Sequence, residues 1–332
     1  MGDPVRRRDF FRVVAGAATA RPLAARAQQS AKLPLIGFLN AQSPEAFAPY
    51  AEAFRAGLED VGFVDGQNVA IEYRWARGHY DLLPSLTAEL IALKPVIIAA
   101  TGGDQAISAA KVITQSIPLV FLVGGDPVQL GLVASFNHPG GTITGITMLT
   151  NVLDAKRLGI LRQTLPQSKT IAFLENPNFP EAENKQQRTK EAAEALGVEL
   201  VVLSASSETE INDVMSNFDR QRLNGLLVVG DPFFNSHRDQ IVALVARIGV
   251  PAIYEWREYA TAGGLMSYGT NLPAAYRTVG AYAGRIIKGE KAADLPVLQP
   301  TKFEFVINLK TAKALGLVIP PTLLATADEV IE

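Results

Sequence analysis

The chain has 332 residues, of which 48% are hydrophobic and 19% charged, and its formal net charge is −2 at pH 7. It contains no cysteine, so we expect no disulfide, no thiolate metal site and no lipid anchor of the kind that needs a cysteine at the cleavage site. A mildly acidic chain without a basic block is also a poor binder of nucleic acid or anionic membranes.

The first 27 residues have the layout of a bacterial export signal. Arg7-Arg8 is followed by a Phe pair, by a short apolar run over residues 13–20 and by the small-x-small site Ala25-Arg26-Ala27. This order is similar to the twin-arginine class, and the apolar run is too short to span a membrane. We predict a signal peptide over residues 1–27, the alternative being a basic disordered arm. Its removal leaves 25 basic and 31 acidic side chains, a net charge of −6.

Short apolar runs alternate with helical patterns from Leu33 onward. Such runs are typical of parallel strands covered on both faces. They are Leu35–Leu39, Val96–Ala100, Leu119–Val123, Thr170–Leu174, Leu200–Leu203, Leu226–Val229 and Pro251–Tyr254. Val69–Trp75 instead alternates apolar and polar residues, which predicts a half-exposed strand near a sheet edge.

Local signals predict where several helices begin and end. Ser43 is expected to cap a helix with Pro44 at its first position. Ser207 with Glu210 forms a capping-box pattern. Gly197 and Gly249 follow helical patterns and suit the position where a positive φ is needed.

The strand–helix alternation occurs twice, which predicts two lobes, each a doubly wound parallel sheet. The first series runs from Leu33 to about Thr147 and the second from about Asp154 to Met266. A helical pattern at Ala274–Ile287 falls outside the second series. It could return to the first lobe and make both lobes discontinuous, although the sequence alone does not force this.

Ligands of open parallel sheets bind beyond the carboxyl ends of the strands. The segments after the apolar runs hold small, hydrogen-bonding and aromatic residues, which suits a small polar ligand with an apolar part. We select as candidate ligand-binding residues Gln42, Ser43, Trp75, Thr101, Gly102, Gly103, Asp126, Asn176, Phe179, Asp231, Phe233, Glu255 and Tyr268. Of these, Asp126, Asp231 and Glu255 could hold an ammonium group or could be ordinary turn formers.

Thr101-Gly102-Gly103 opens a helical pattern. A glycine pair there lets bare N–H groups approach an anion at the positive end of the helix dipole, and a ligand carboxylate is the expected occupant. A strand-to-helix turn that needs glycine for its backbone is an equal alternative. The carboxylate of Asp104 could occupy the same N–H groups.

The sequence gives little support for an enzyme. Its three histidines, His79, His138 and His237, are widely separated and lack metal-ligand spacing. A nucleophile elbow, a phosphate-binding lysine loop and a dinucleotide fingerprint are all absent. We expect no catalytic residue, no metal and no cofactor.

Several stretches resemble one family, the ABC-transporter substrate-binding proteins of the tryptophan/tyrosine type. They are Val123–Phe136 with His138–Gly145, Ala53–Leu58 with Gly62-Phe63, Pro300–Ala312, and Ala314–Leu317 with Pro320-Pro321. The resemblance covers essentially the whole chain after the signal and is carried mostly by framework residues.

This resemblance implies a two-lobed type I periplasmic binding fold with three hinge crossings near 145–151, 268–272 and 300–307. It implies lobe one at 33–147 plus 272–300 and lobe two at 148–271 plus 301–332. Characterised relatives bind aromatic amino acids, with the ligand carboxylate near the loop that matches Thr101–Asp104. Here Gly103-Asp104 stands where relatives often carry Thr-Pro or similar residues.

We therefore expect a monomeric, non-enzymatic periplasmic receptor. It would close on a small carboxylated ligand, aromatic or an amino acid, and deliver it to an ABC transporter permease. A periplasmic sensor that presents the same ligand to a signalling partner is the alternative, and an enzyme on this fold is a third. No nucleic-acid partner is expected.

Overall fold

The computed structural model describes residues 33–113, 116–179, 182–220 and 222–332. The export signal predicted for residues 1–27 lies outside them. None of the helices within these ranges is long and apolar enough to cross a membrane.

Strands and helices alternate through the first part of the described chain. In order they are β1 Leu35–Asn40, α1 Pro44–Asp60, β2 Ala70–Trp75, a 3₁₀ turn Tyr80–Leu82, α2 Leu83–Ala92, β3 Ile97–Thr101, α3 Asp104–Ile113, β4 Leu119–Val123 and β5 Ile143–Thr147.

The alternation then continues to the end of the chain. The elements are a 3₁₀ turn Thr150–Val152, α4 Asp154–Thr164, β6 Thr170–Glu175, α5 Ala182–Ala195, β7 Glu199–Ser204, α6 Glu208–Ser216, β8 Gly225–Val228, α7 Pro232–Ser236, α8 Arg238–Ile248, β9 Ala252–Tyr254, α9 Arg257–Thr261, β10 Met266–Gly269, α10 Leu272–Ile287, a 3₁₀ turn Ala292–Asp294, β11 Glu304–Asn308, α11 Leu309–Ala314, α12 Pro321–Leu324 and β12 Glu329–Ile331.

The first five strands form one parallel sheet in the order β2-β1-β3-β4-β5. β2 lies at its edge and all six of its residues are half-buried, which confirms the position predicted from its alternating pattern. Helices cover both faces. Val120 and Leu122 of β4 pack in one core with Phe54 of α1, while Phe121 packs in a second core with Ile107 of α3.

The remaining strands form a seven-stranded sheet in the order β12-β11-β10-β9-β8-β6-β7. Its pairs are parallel except for β10 with β11, where Met266 lies opposite Ile307 and Tyr268 opposite Phe305. The apolar runs did not predict β5, β10, β11 and β12, which are short or interrupted by polar residues. A two-lobed α/β architecture with mostly parallel sheets is confirmed.

Helix α10 packs against α1 and against β3, β4 and β5 of the first sheet, so the chain returns to that sheet after β10. Two glycines allow the helix axes to approach closely. A Cβ at Gly57 would lie 1.8 Å from the Arg277 carbonyl oxygen, and one at Gly280 would lie 2.0 Å from the Phe54 carbonyl oxygen. We refer to the first sheet with α1, α2, α3 and α10 as the first lobe, and to the second sheet with its helices as the second lobe.

The predicted helix ends are present. The Ser43 side chain accepts a hydrogen bond from the Ala46 amide, and that of Ser207 accepts one from the Glu210 amide. The Glu210 carboxylate accepts a hydrogen bond from the Ser206 amide at 2.6 Å. Gly249 ends α8 in the left-handed conformation, with φ 70°.

The chain passes between the lobes three times: between β5 and α4, between β10 and α10, and ahead of β11. The first two crossings contact each other through Thr270, whose hydroxyl donates to the Met148 carbonyl at 3.2 Å. Leu149 in the first crossing has φ 50°, a conformation that is uncommon for a residue with a side chain.

Candidate ligand-binding site

A cavity with an empty volume of about 490 Å³, part of it open to solvent, lies between the carboxyl ends of the two sheets. Both lobes and the crossing between β5 and α4 contribute to its walls. The first lobe supplies Gln42, Phe47, Gly102, Gly103, Asp104, Leu122, Gly124 and Tyr276. Leu272, at the start of α10, also belongs to the first lobe, and the crossing between β5 and α4 supplies Met148 and Thr150. The second lobe supplies Phe179, Gly230, Asp231, Pro232, Asn235, Glu255 and Trp256.

Six of the candidate residues line this cavity: Gln42, Gly102, Gly103, Phe179, Asp231 and Glu255. All six follow the carboxyl ends of strands, as expected for a ligand site in an open parallel sheet.

Asn176 and Phe233 lie one layer away, in a neighbouring polar cavity formed with Gly78 and Tyr80 of the first lobe. The amide of Asn176 donates to both carboxylate oxygens of Asp231, at 3.3 and 3.4 Å. Asn176 therefore orients a cavity-lining carboxylate from behind.

Five other candidates do not line the cavity because their groups have partners within the fold. The Ser43 hydroxyl caps α1. The Thr101 hydroxyl accepts from the Asn40 amide at 2.9 Å and is fully buried. Trp75 stacks on Tyr73, with ring centroids 6.1 Å apart.

The last two of these candidates also have structural partners. One carboxylate oxygen of Asp126 accepts from the Val128 amide at 2.8 Å and closes a turn. The ring of Tyr268 packs on Phe303 and Phe305 in the second lobe.

The glycine pair forms a turn in which side chains would clash. Gly102 and Gly103 have φ of 80° and 128°. A Cβ at Gly102 would lie 2.1 Å from Asn40 Oδ1, and one at Gly103 would lie 2.7 Å from Pro232 Cγ of the other lobe. Close packing thus requires glycine at both positions. The turn leads directly into α3 at Asp104.

Asp104, the first residue of α3, is buried in the cavity wall. Its Oδ1 accepts a hydrogen bond from the Gly124 amide at 2.8 Å, so this carboxylate links the loop after β3 to the loop after β4. The side chain of Gln42 holds the glycine turn from the other side by donating to the Gly102 carbonyl at 3.1 Å.

Sequence reasoning missed much of the apolar wall. Phe47 and Tyr276 come from the first turns of α1 and α10, and Met148 and Thr150 come from a crossing. The aromatic residue in the first turn of each helix is the signal that could have identified the first pair. Asn235, in the short helix α7, had no comparable signal.

The charges of the protein interior are concentrated here. In the described ranges, every charged side chain that is buried lies at or behind this cavity. They are Asp104, Asp154, Arg157, Glu175, Lys185, Asp231 and Glu255. Ionised groups are rarely buried because they lose hydration. Five carboxylates against two cations leave the site with an excess of negative charge.

The two buried cations lie behind the wall and have partners there. Lys185 Nζ donates to the Gly230 carbonyl at 2.8 Å, lies 3.8 Å from Asp154 Oδ2 and sits 4.9 Å from the Phe179 ring centroid. Arg157 binds Asp154 and lies 3.5 Å from Glu255 Oε1. The cavity surface of the described protein therefore presents carboxylates and no Lys or Arg.

Burial also changes the acidity of these carboxyls. It raises the pKa of Asp231 to about 6, against hydrogen bonds from Phe234 and Asn176 that favour the charged form. The pKa of Glu255 is raised by the same loss of hydration, and the nearby Arg157 opposes the shift. Burial likewise raises the pKa of Glu175, opposed by Lys185. A positive group entering the cavity would stabilise the charged forms.

One neutral acceptor in the wall has no partner. Asn235 is 4% exposed, and its Oδ1 is buried without a hydrogen bond. A buried polar atom left unpaired costs free energy, so this oxygen is suited to a ligand donor. Among the described residues, no cluster of His, Asp or Glu has the arrangement needed to hold a metal ion.

The chain is similar to known proteins both in sequence and in structure. The tyrosine-binding protein of Clostridioides difficile is 25% identical over 266 residues, which are 80% of this chain and 76% of that protein. An ABC domain from Streptococcus pneumonia in complex with L-tryptophan covers 90% of this chain and 100% of its own, with TM-score 0.80 and 23% identity.

A third relative, from Clostridium difficile, is described as a substrate-binding protein with adhesive properties in a ligand-free, open structure. It covers 90% of this chain and 99% of its own, with TM-score 0.64 and 25% identity.

The sequence profile of the ABC transporter substrate binding proteins matches residues 41–331. That match includes both sheets and the cavity between them, and it confirms the resemblance seen in the sequence. Members of this family bind solutes and are not enzymes. This chain belongs to the ABC transporter substrate-binding protein family.

Proposed function

We propose that this protein is the periplasmic solute-binding component of an ABC importer. Its ligand is a small molecule that carries a carboxylate and a protonated amine beside an apolar, preferably aromatic, group. Aromatic amino acids and their close analogues have this combination of groups. The protein works as a monomer, closes its lobes on the ligand and presents it to a permease.

The observation that carries this proposal is the excess of buried carboxylate around a mostly apolar cavity. A ligand ammonium beside Asp231 and Glu255 would offset that charge, and Asn235 Oδ1 would accept one of its N–H groups. The rings of Phe47, Phe179 and Trp256 surround the remaining space. The tyrosine-binding protein and the ABC domain in complex with L-tryptophan support the same ligand class.

The ligand carboxylate is assigned to the Gly102–Gly103 turn at the start of α3. Both glycines line the cavity, and neither carries a side chain that would cover its own amide. The positive end of the helix dipole favours an anion there. Asp104 reduces this preference, so we expect the ammonium side to provide the larger share of the affinity.

A set of analogues that differ by one group tests the proposal. L-tyrosine and L-tryptophan are compared with tyramine and tryptamine, which lack the carboxylate, and with the deaminated arylpropionates. The measurements are thermal shift followed by calorimetry. A ligand at 100 times its Kd stabilises the folded state by about 2.7 kcal/mol.

We expect the amino acids to bind, the amines to bind more weakly and the arylpropionates to bind weakest. Arylpropionates that bind as tightly as the amino acids would contradict the ammonium site. If none of the compounds shifts the melting temperature, the proposed ligand class is wrong.

A further inference from the structure

Arg157 is the largest side chain in the described part of the protein that is fully buried. It lies in α4, the first helix after the first crossing, and it does not line the cavity. Burial of a guanidinium costs several kcal/mol unless it is well paired. An apolar side chain could fill the same space without this cost, so the polar contacts of Arg157 indicate its role.

The guanidinium of Arg157 contacts both hinge segments and the cavity wall. Nη1 donates to Asp154, where the chain enters α4 from the first crossing. Nε donates to the Tyr268 carbonyl at 2.8 Å, where the chain leaves β10 for the second crossing. Nη2 lies 3.5 Å from Glu255 Oε1 in the cavity wall. One planar group thus joins two hinge segments to a ligand-facing carboxylate.

Glu255 is also held tightly between two glycines. A Cβ at Gly230 would lie 1.3 Å from Glu255 Oε2, and a Cβ at Gly269 would lie 2.2 Å from the Glu255 carbonyl oxygen. Gly269 is the last residue of β10, directly before the second crossing. A displacement of Glu255 therefore acts on the hinge through its backbone as well as through Arg157.

The two crossings are coupled to each other. Thr270 of the second crossing donates to the carbonyl of Met148 in the first, and the adjacent Leu149 has a positive φ. A shift of either segment is thus transmitted to the other.

We propose that Arg157 is a positioning residue that sets the ratio of the open to the closed arrangement of the lobes. Through its contacts, a displacement of Glu255 by a ligand is transmitted to two hinge crossings. The transmission from ligand to Glu255 rests on the proposed function. The effect of Arg157 on the ratio of open to closed protein is independent of the proposed function, because it concerns the ligand-free protein.

Spin-label distances test this directly. Because the chain has no cysteine, one label can be placed in each lobe through Val112→Cys and Val318→Cys, at side chains that are 74% and 89% exposed. Arg157→Lys keeps the charge but cannot make the three planar contacts. Asp154→Asn, a second variant, weakens the same network with little change of shape.

The control is Arg162→Lys in the same helix, since the Arg162 side chain donates to the Leu165 carbonyl at 3.0 Å and makes no hydrogen bond or ion pair with the described residues of either crossing. Without added ligand, we expect Arg157→Lys and Asp154→Asn to change the ratio of short to long distances by about threefold or more. The control should match the parent.

Distance distributions that are the same in the parent and in both network variants would overturn the proposal, even if the variants melt at lower temperature. A second arm adds L-tyrosine as probe. If L-tyrosine leaves the parent distances unchanged, the proposed ligand is wrong, while the ligand-free arm still decides the role of Arg157. If L-tyrosine closes the parent and Arg157→Lys equally, the transmission from Glu255 is refuted.

Discussion

Ser236 of the second lobe donates a hydrogen bond to Gln42 Oε1 of the first lobe, joining residues that are 194 positions apart in the chain. The same Gln42 side chain donates to the Gly102 carbonyl. One amide group therefore links a contact between the lobes to the glycine turn.

Ser236→Ala is expected to weaken ligand binding by loss of this contact between the lobes. A single hydrogen bond contributes about 0.5–1.5 kcal/mol, or roughly two- to tenfold in Kd. Calorimetry with L-tyrosine measures the change. Ser85→Ala removes a hydroxyl that bonds only to the Leu82 carbonyl in its own segment and should leave Kd unchanged. Equal effects of the two substitutions would contradict the role of Ser236.

Ligand affinity should depend on pH through Asp231. Its pKa is raised to about 6 in the folded, ligand-free protein, and an ammonium ligand binds the deprotonated form. Affinity should therefore rise with pH and be about tenfold weaker at pH 5 than at pH 7.5. Asp231→Asn keeps a helix-capping residue and should flatten this dependence when calorimetry is repeated at both values. A flat profile for the unmodified protein would argue against the contact.

Asp231 should make the ligand-free protein less stable as pH rises, although the same rise in pH strengthens ligand binding. Because the folded pKa of Asp231 lies above its unfolded value of about 4, the folded state binds the proton more tightly. The contribution of this carboxyl is greatest below pH 4 and is lost as pH rises through about 6. Urea unfolding of the protein and of Asp231→Asn, compared between pH 4.5 and 7.5, isolates the effect. If Asp231→Asn lost more stability than the unmodified protein between pH 4.5 and 7.5, this contribution of Asp231 would be contradicted.

Asn235→Ala should separate binding from stability. Because Oδ1 of Asn235 has no partner in the ligand-free protein, loss of this oxygen does not break a bond of the fold. An amine ligand should nevertheless lose a hydrogen bond to a charged donor, about 1.5–3 kcal/mol, or roughly one to two decades in Kd. Calorimetry and thermal melting measure the two effects. A large drop in melting temperature with unchanged Kd would show that the side chain is structural.

Two glycine-to-alanine substitutions are expected to change the stability of the protein in opposite directions. One lies where α1 and α10 approach closely, and the other lies in α4. Gly280→Ala introduces a Cβ 2.0 Å from the Phe54 carbonyl oxygen and should destabilise the protein by about 3 kcal/mol. Gly159→Ala in α4 meets no atom within 4 Å and should stabilise it by about 0.5–1 kcal/mol, because alanine favours helix. Urea unfolding measures both, and a neutral Gly280→Ala would show that the helices can separate at little cost.

The export signal that the sequence predicts for residues 1–27 implies a phenotype in cells. Replacement of Arg7 and Arg8 by Lys should leave the precursor in the cytoplasm, because the twin-arginine route requires the pair. Cell fractionation follows the protein, and replacement of Arg21 and Arg26 by Lys provides a control outside the pair. Normal periplasmic appearance of the Arg7/Arg8 variant would exclude this route, although not export itself.

Local patterns in the sequence were sufficient for most of the framework. Strand β2 was placed at an edge because its residues alternate, and Ser43, Ser207 and Gly249 mark helix ends through contacts within a few residues. A turn that needs glycine was one of two equal interpretations of the Gly102-Gly103 pair, and both residues have the positive φ that glycine adopts easily. The repeated strand–helix alternation predicted two lobes, and the family resemblance then supplied the three crossings between them.

The composition of the site depends on contacts between residues far apart in the chain. Asn40 meets Tyr276 across 236 positions because α10 returns to the first sheet, and no local period encodes that return. The burial of Arg157 and Asp154 behind Glu255 depends in the same way on how two crossings meet. Each of these side chains alone is consistent with an exposed surface position. Only the packing of the two sheets brings them together and removes water from around them, which strengthens the interactions between their charges.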